Sequence, residues 1–196
     1  MIFFIQNTSR TTMRLKSDVL ENIMKILERL KSLDLLLICG SYGAGKNELA
    51  NKYFNNGQWN RVSRNEIRKL MFEMTRFGSQ WTAESFNEED DVLVKHIERK
   101  ILEHYLHNKR KVLVINTFAT IKSRQRFLSI AKNFGRKTGA IYLNMPLDYC
   151  LSRYKTGNPT LPETVIRSIY SRTELPDKKE GFEEVLIINP KEQNRQ

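Results

Sequence analysis

Cysteine is scarce in this chain of 196 residues, with only Cys39 and Cys150. The pair has neither metal-site spacing nor the density of a disulfide scaffold, which excludes a stapled secreted module and fits a reducing cytoplasm. Long apolar runs are missing too. No stretch approaches the roughly 20 residues that span a bilayer, so no membrane partner is expected. Met1-Ile2-Phe3-Phe4-Ile5 is too short for a secretory core and has its charges on the wrong side. Acids are absent from positions 6–17, a stretch of Ser, Thr and Arg with a faint presequence character. An equally plain reading makes Met13 the start and the first dozen residues a disordered extension. No internal repeat or low-complexity tract interrupts the chain. The length suits one domain, expected over 35–196 and preceded by an extension and a helix over 1–34.

What is abundant is positive charge. Lysine and arginine number 33 against 22 acids, a net charge of +11. That balance favours polyanionic partners, such as a single-stranded nucleic-acid end.

The chain is organised around Leu35-Leu36-Leu37-Ile38-Cys39-Gly40-Ser41-Tyr42-Gly43-Ala44-Gly45-Lys46-Asn47. An apolar run of strand length meets Gly40, four residues follow, and Gly45-Lys46 opens a helix; this is the layout of a phosphate loop. Its glycines let the backbone curl with N–H groups inward, the helix adds the positive end of its dipole, and Lys46 supplies a mobile cation for the outer phosphates. A nucleoside triphosphate is the expected ligand over Gly40, Ser41, Tyr42, Gly43, Ala44, Gly45, Lys46 and Asn47. In such loops a hydroxyl after the lysine ligates Mg²⁺. Asn47 offers a neutral amide oxygen flanked by N–H donors, so Mg²⁺ binding is expected to be weak.

Ahead of the loop, Leu20, Ile23, Leu27 and Leu30 recur at three and four from Asp18 to Lys31, predicting an amphipathic helix capped by Ser17 or Asp18. Behind it come a short strand over 59–63 and the helical segment from Arg64, with Arg64, Arg68 and Lys69 in its first turns. Residues 77–87 read as irregular, with Trp81 and Phe86 expected in the core. Asn87 caps a long helix from Glu88 to about Asn108, whose Val94, Ile97, Ile101 and Tyr105 are expected to face the core. His96, His104 and His107 lie on that helix without a ligand partner at metal spacing, and are expected in solvent. A strand over 112–115, a basic helix over 122–134, a strand over 140–144, helices over 147–155 and 162–171 and a strand over 185–188 complete the pattern. Alternating apolar strands and helices predict an α/β fold with a parallel sheet covered on both faces. Ligands then bind beyond the carboxyl ends of the strands, where residues 40–47, 64–68 and 116–118 should converge.

Taken together, these motifs resemble the P-loop polynucleotide 5′-hydroxyl kinases and their small single-domain ATP-binding relatives. The likeness spans about residues 35–189. It rests on the phosphate loop, on Ser63-Arg64-Asn65-Glu66-Ile67-Arg68, Ile115-Asn116-Thr117-Phe118 and Cys150-Leu151-Ser152-Arg153, and on Leu161 to Arg167 and Glu174 to Val185. It implies a P-loop NTPase fold of nucleoside/polynucleotide kinase type with five strands in the order 2-3-1-4-5. It further implies ATP and Mg²⁺, Lys46 on the donor phosphates, Arg68 on the acceptor's phosphate and Arg153 in a lid. Asn65 stands where active relatives have the aspartate that takes the acceptor proton, and Asn116 where a carboxylate orders the metal. Between Arg153 and Pro162, where the family usually has a further arginine, only Lys155 is available.

Asparagine thus stands at positions 47, 65 and 116, and an amide neither takes a proton near pH 7 nor adds charge to a Mg²⁺ shell. Glu66, Asp90 or Asp91 could supply a displaced carboxylate. Three functions fit: a kinase acting on a nucleic-acid or nucleotide hydroxyl, a pseudo-kinase that binds nucleotide or nucleic acid as sensor or scaffold, and a phosphotransferase with a small-molecule acceptor.

Overall fold

A computed structural model describes residues 24–156 and 161–190. Its centre is β1 (Leu35–Gly40), an uninterrupted apolar run buried along its whole length. Such a run is stable only where both faces of the sheet are covered. Side chains alternate across a strand, and the core divides accordingly. Leu35, Leu37 and Cys39 face one cluster, while Leu36 and Ile38 face the other.

Around β1 lie β2 (Trp59–Ser63), β3 (Lys111–Ile115), β4 (Thr138–Leu143) and β5 (Glu184–Ile188), all parallel, in the order β2-β3-β1-β4-β5. This is the expected 2-3-1-4-5 sheet. Ile38 sits level with Ile115 on one side and Ile141 on the other, so Gly40 and Asn116 leave the sheet side by side.

The first face is covered by α4 (Glu88–His107) and α5 (Ile121–Asn133), which contribute Leu102, Leu106, Phe127, Leu128 and Ala131. The second is covered by helical residues 24–31, called α1 here, and by α2 (Lys46–Phe54), through Leu27, Leu30, Ala50 and Phe54. Leu20, Ile23 and the cap at Ser17 or Asp18 lie outside the described residues. Close seating of α1 needs a glycine beneath it. A Cβ on Gly139 would fall 2.6 Å from Leu33 Cδ1 and 2.7 Å from Leu30 Cδ2. The remaining helices are α3 (Arg64–Thr75), α6 (Leu147–Thr156) and α7 (Glu163–Ser171).

Two sequence expectations shift. The buried stripe of α4 is Asp91, Val94, Glu98, Leu102 and Leu106, with Ile97, Ile101 and Tyr105 only half-buried beside it. It turns because two carboxylates occupy it, each paired with an arginine of α3. Trp81 is half-buried and Phe86 is 43% exposed, so Phe86 is not in the core. Both rings stand beside Arg68 instead, with its guanidinium carbon 5.9 Å and 5.7 Å from their centroids.

The histidines of α4 are exposed as expected. Cys39 and Cys150 are buried free thiols, and burial pushes that of Cys39 up to about 12, far from nucleophilic range. Arg124 is fully buried. It donates to Glu180 at 2.8 and 2.7 Å and to the carbonyls of Phe118 and Glu174, tying the 174–180 segment to the end of β3. Among the described residues no helix is long and apolar enough to cross a membrane.

Candidate functional site

The loop after β1 turns on glycines with positive φ at 40, 43 and 45. Gly43 is the most constrained, because a Cβ there would lie 2.1 Å from the Cys150 carbonyl oxygen on α6. Gly45 caps α2 in a left-handed conformation and offers no side chain to the first helical N–H groups. Those amides, the Ser41 hydroxyl and Lys46 therefore define one cradle. Ser41 Oγ is buried without a hydrogen-bond partner among the described residues. Ala44 is buried against Leu143 and Cys150, which fixes the loop to the sheet.

Lys46 folds into this cradle and donates to the carbonyls of Gly40 and Ser41 at 2.9 and 2.7 Å, with its ammonium 5.8 Å from the Tyr42 ring centre. Burial lowers its pKa to about 8. A cation stripped of water, an unpaired hydroxyl and uncapped helix amides together fit a polyanion. A bound polyanion would hold the proton on Lys46. Anion affinity should therefore be level below pH 8, where Lys46 is already charged. It should fall by up to about tenfold per pH unit above, where binding must take up a proton. Titrating nucleotide affinity from pH 6.5 to 9.5 checks this, and a flat profile would remove Lys46 from the site.

Arg153 of α6 leans over the cradle, close enough that a Cβ on Gly45 would lie 3.2 Å from its Nη1. It is ion-paired with Glu48 and stands 5.7 Å from the Tyr149 ring centre. Lys155 points elsewhere, to Glu163 of α7 at 2.8 Å. Asn47 is exposed on the first turn of α2. Asn116 is at the tip of β3, where its Oδ1 accepts from the Thr117 N–H at 2.8 Å, and Gly40 N–H donates to the Thr117 carbonyl at 3.1 Å.

The second group is built on α3 and α4. Arg68 donates to Asn65 Oδ1 at 3.3 Å and to Asp91 at 2.5 Å, and Asp91 also binds Lys95 at 2.7 Å. Burial acts to raise the Asp91 pKa, but the hydrogen bonds and charges of Arg68 and Lys95 outweigh it and hold the carboxyl below its usual value. Of the three carboxylates proposed as substitutes, Asp91 is the one beside Asn65 and Arg68. Glu66 forms an exposed bidentate pair with Arg61 at 2.7 and 2.8 Å, and Asp90 is exposed. Tyr42 links the two groups: burial pushes its phenol up while the charges of Arg68, Arg64 and Asp91 act on it.

Arg64, Asn116, Thr117 and Phe118 also line a pocket of about 200 Å³; of the expected convergence of 40–47, 64–68 and 116–118, this pocket gathers Arg64 and 116–118, while 40–47 meets 116–118 through the Gly40–Thr117 hydrogen bond. Arg126 and Arg172 complete its cationic wall, and neither stood out in the sequence.

With this geometry in view, comparison with known proteins places the chain. A family model described as AAA domain matches residues 35–176, from the start of β1 past the end of α7. The chain belongs to this AAA domain family. Members of the family share a P-loop kinase-like architecture, which implies nucleotide binding. Solved structures agree on the fold. A protein provisionally described as a kinase, from Chloroflexus aurantiacus J-10-fl, superposes with a TM-score of 0.61 at 13% identity, over 80% of this chain and 88% of that one. The PezAT toxin-antitoxin system of Streptococcus pneumoniae gives 0.58 at 16% identity, over 94% and 80%. A chain of the Pnkp1/Rnl/Hen1 complex gives 0.50 at 18% identity, over 61% and 38%.

The family match spans the cradle, the Arg68 group and the pocket alike. What sequence reading missed in this AAA domain are Glu98, which sets Arg64, and the pairing of Asp91, named only as a displaced carboxylate, with Arg68. The available signal was a pair of acids seven residues apart, within the stripe shared by Val94 and Leu102.

Proposed function

We propose that this chain is an ATP-binding protein of P-loop kinase type, akin in its site to polynucleotide 5′-hydroxyl kinases. The nucleotide cradle is kept, and γ-phosphoryl transfer to a nucleic-acid or nucleotide hydroxyl is slow or lost. The observation that carries this reading is the pairing of a desolvated Lys46 in a glycine cradle with amides at 47, 65 and 116. In the transfer, the acceptor oxygen bonds to the γ-phosphorus as the bridge to the β-phosphate breaks, and the acceptor proton must leave. Asn65 cannot take that proton. Lys46, Ser41 and the loop amides would hold the phosphates, with Arg153 above them. Mg²⁺, which would neutralise charge on the transferring phosphate, would be held by Asn47 and Asn116, and both are neutral. On this reading a 35–196 domain is preceded by an extension and a helix over 1–34, of which Leu27, Leu30 and Leu33 are part of the domain's core.

ATP affinity is therefore expected to change little, by less than about tenfold, when Mg²⁺ is removed with a chelator. A dependence as steep as in an ordinary P-loop kinase would overturn the metal part of the reading. Catalysis is checked by labelled γ-phosphate transfer over 5′-hydroxyl DNA, RNA and nucleosides. A phosphotransferase with a small-molecule acceptor is the second reading; the pocket of about 200 Å³, below the roughly 300–1,000 Å³ usual for a whole ligand, would take only part of such an acceptor.

A further inference from the structure

The stretch 70–93, from the second half of α3 to the start of α4, has a character opposite to the rest of the chain. In a protein of net charge +11 it holds six acids, Glu73, Glu84, Glu88, Glu89, Asp90 and Asp91, and one base, Arg76. It also holds six of the ten large apolar side chains that stand exposed among the described residues: Leu70, Met74, Phe77, Phe86, Val92 and Leu93. Both excesses fall at one end of one helix pair. The Arg64–Glu98 and Arg68–Asp91 ion pairs set α3 antiparallel to α4, so the outgoing end of α3 lies beside the incoming end of α4.

Among the described residues nothing covers this surface. Leu70 and Met74 are one turn apart on α3, 67% and 71% exposed, and Phe77, just past its end, is fully exposed. The Gly78 N–H closes the helix on the Glu73 carbonyl at 2.7 Å, which leaves Phe77 at a φ of +53°, in the left-handed position that glycine usually fills. A bulky ring held there at a conformational cost, yet packed against nothing in the described fold, marks a surface with an occupant. All of the acids except Asp91 are exposed and make no ion pair among the described residues.

The complement of this face is a segment both apolar and basic, which excludes nucleic acid. Such a segment is present in the chain itself. Residues 1–17 begin Met1-Ile2-Phe3-Phe4-Ile5, continue with Arg10, Arg14 and Lys16, and contain no acid. Reach does not limit them: residues 1–23 precede the described part of α1, a contour of up to about 75 Å against a width of roughly 40 Å for a domain of this size.

We propose that residues 1–17 dock on the α3–α4 face of their own chain, with Met1 to Ile5 covering Leu70, Met74 and Phe77 and the basic residues meeting Glu88, Glu89 and Asp90. Phe86, which stands against Arg68, belongs to the same stretch, so the docked segment borders the Arg68 group. The inference does not depend on what the cradle binds.

Paramagnetic relaxation in the full chain tests it. Cys39 and Cys150 are both buried, so a nitroxide on Thr8→Cys attaches at one position. Amide resonances of 70–77 and 88–93 are expected to broaden, while those of the last turn of α5, which leads to the start of β4 at the other end of the sheet, stay sharp. Phe77→Gly with Met74→Ser should lose most of this broadening without loss of folding, because glycine suits the left-handed position. Glu88→Lys with Glu89→Lys should lose it too, and adding Arg10→Glu with Arg14→Glu should restore it, as complementary charge requires. High salt should weaken it in the wild-type sequence. Broadening that is absent, or unchanged in Phe77→Gly with Met74→Ser, would overturn the proposal. So would broadening that arises only between nitroxide-bearing chains and separate isotope-enriched chains, since the occupant would then be a second copy.

Discussion

Combining Asn65→Asp, Asn116→Asp and Asn47→Ser is expected to raise γ-phosphoryl transfer by about 10²–10⁴-fold over the wild-type chain. The argument starts from what the scaffold retains. Asn65 keeps its place at the start of α3 and its hydrogen bond from Arg68 at 3.3 Å, so an aspartate there inherits a prepared position. Asn116 stays at the strand tip beside the loop, fixed by the Thr117 N–H. Neither substitution changes side-chain size, and each restores an oxygen that carries charge. Asn65→Asp alone should give most of the gain, since it returns the group that takes the proton. The other two act on Mg²⁺ and need not add to it linearly, because all three bear on one reacting centre. Labelled transfer, with ATP affinity measured on the same preparations, checks this. A triple variant that binds ATP and acceptor yet stays inert would move the defect to the lid, where Lys155 is engaged by Glu163.

The second large effect concerns binding. Lys46→Ala removes a half-buried cation from the cradle, and truncating such a partner of a charged ligand costs about 2–5 kcal/mol, roughly 30-fold to several thousand-fold in affinity. Gly43→Ala should be at least as damaging for a different reason. Its methyl would meet a backbone oxygen of α6 at 2.1 Å, in a conformation with φ of +76° that alanine rarely adopts, so the loop must move away from the geometry that cups phosphates. Both variants should keep a cooperative thermal transition, since the sheet and its two core clusters lie outside the loop. Nucleotide affinity by fluorescence or calorimetry is the readout. Wild-type affinity in either variant would mean that nucleotide binds elsewhere.

Much of this was legible in the chain, and the part that was not has a physical pattern. The strands could be read because β1 and β3 are buried on both faces, so their apolar runs are unbroken, and the loop because glycine spacing is local. The buried face of α4 departs from the apolar spacing because burial there follows charge. Asp91 and Glu98 point inward only because Arg68 and Arg64, 23 and 34 residues away, meet them, and no local periodicity encodes such a pairing. Trp81 and Phe86 were assigned to the core on hydrophobicity, whereas they stand against a guanidinium, a contact in which an aromatic ring can remain partly exposed. Arg126 and Arg172 looked like ordinary surface cations, and become a pocket wall only once α5 and α7 are brought to the same strand end.

The structure also reorders the candidates for a displaced base. Glu66 is turned outward to Arg61, so Glu66→Gln should leave any residual transfer unchanged. Asp91 sits against Arg68 beside Asn65, and its lowered pKa keeps it ionised at neutral pH, so it is present as an acceptor of protons, though a weak one.

The proposed division is between a binding apparatus that is present and a transfer apparatus that is not. It is tested most directly by measuring ATP affinity and single-turnover transfer of the labelled γ-phosphate together on the wild-type protein, over 5′-hydroxyl DNA, RNA and nucleosides. The expected result is saturable, Lys46-dependent binding with transfer slow or undetectable on every acceptor. Rapid wild-type turnover on any of them, abolished by Asp91→Asn, would contradict it and show that the proton-accepting carboxylate has moved from α3 to α4.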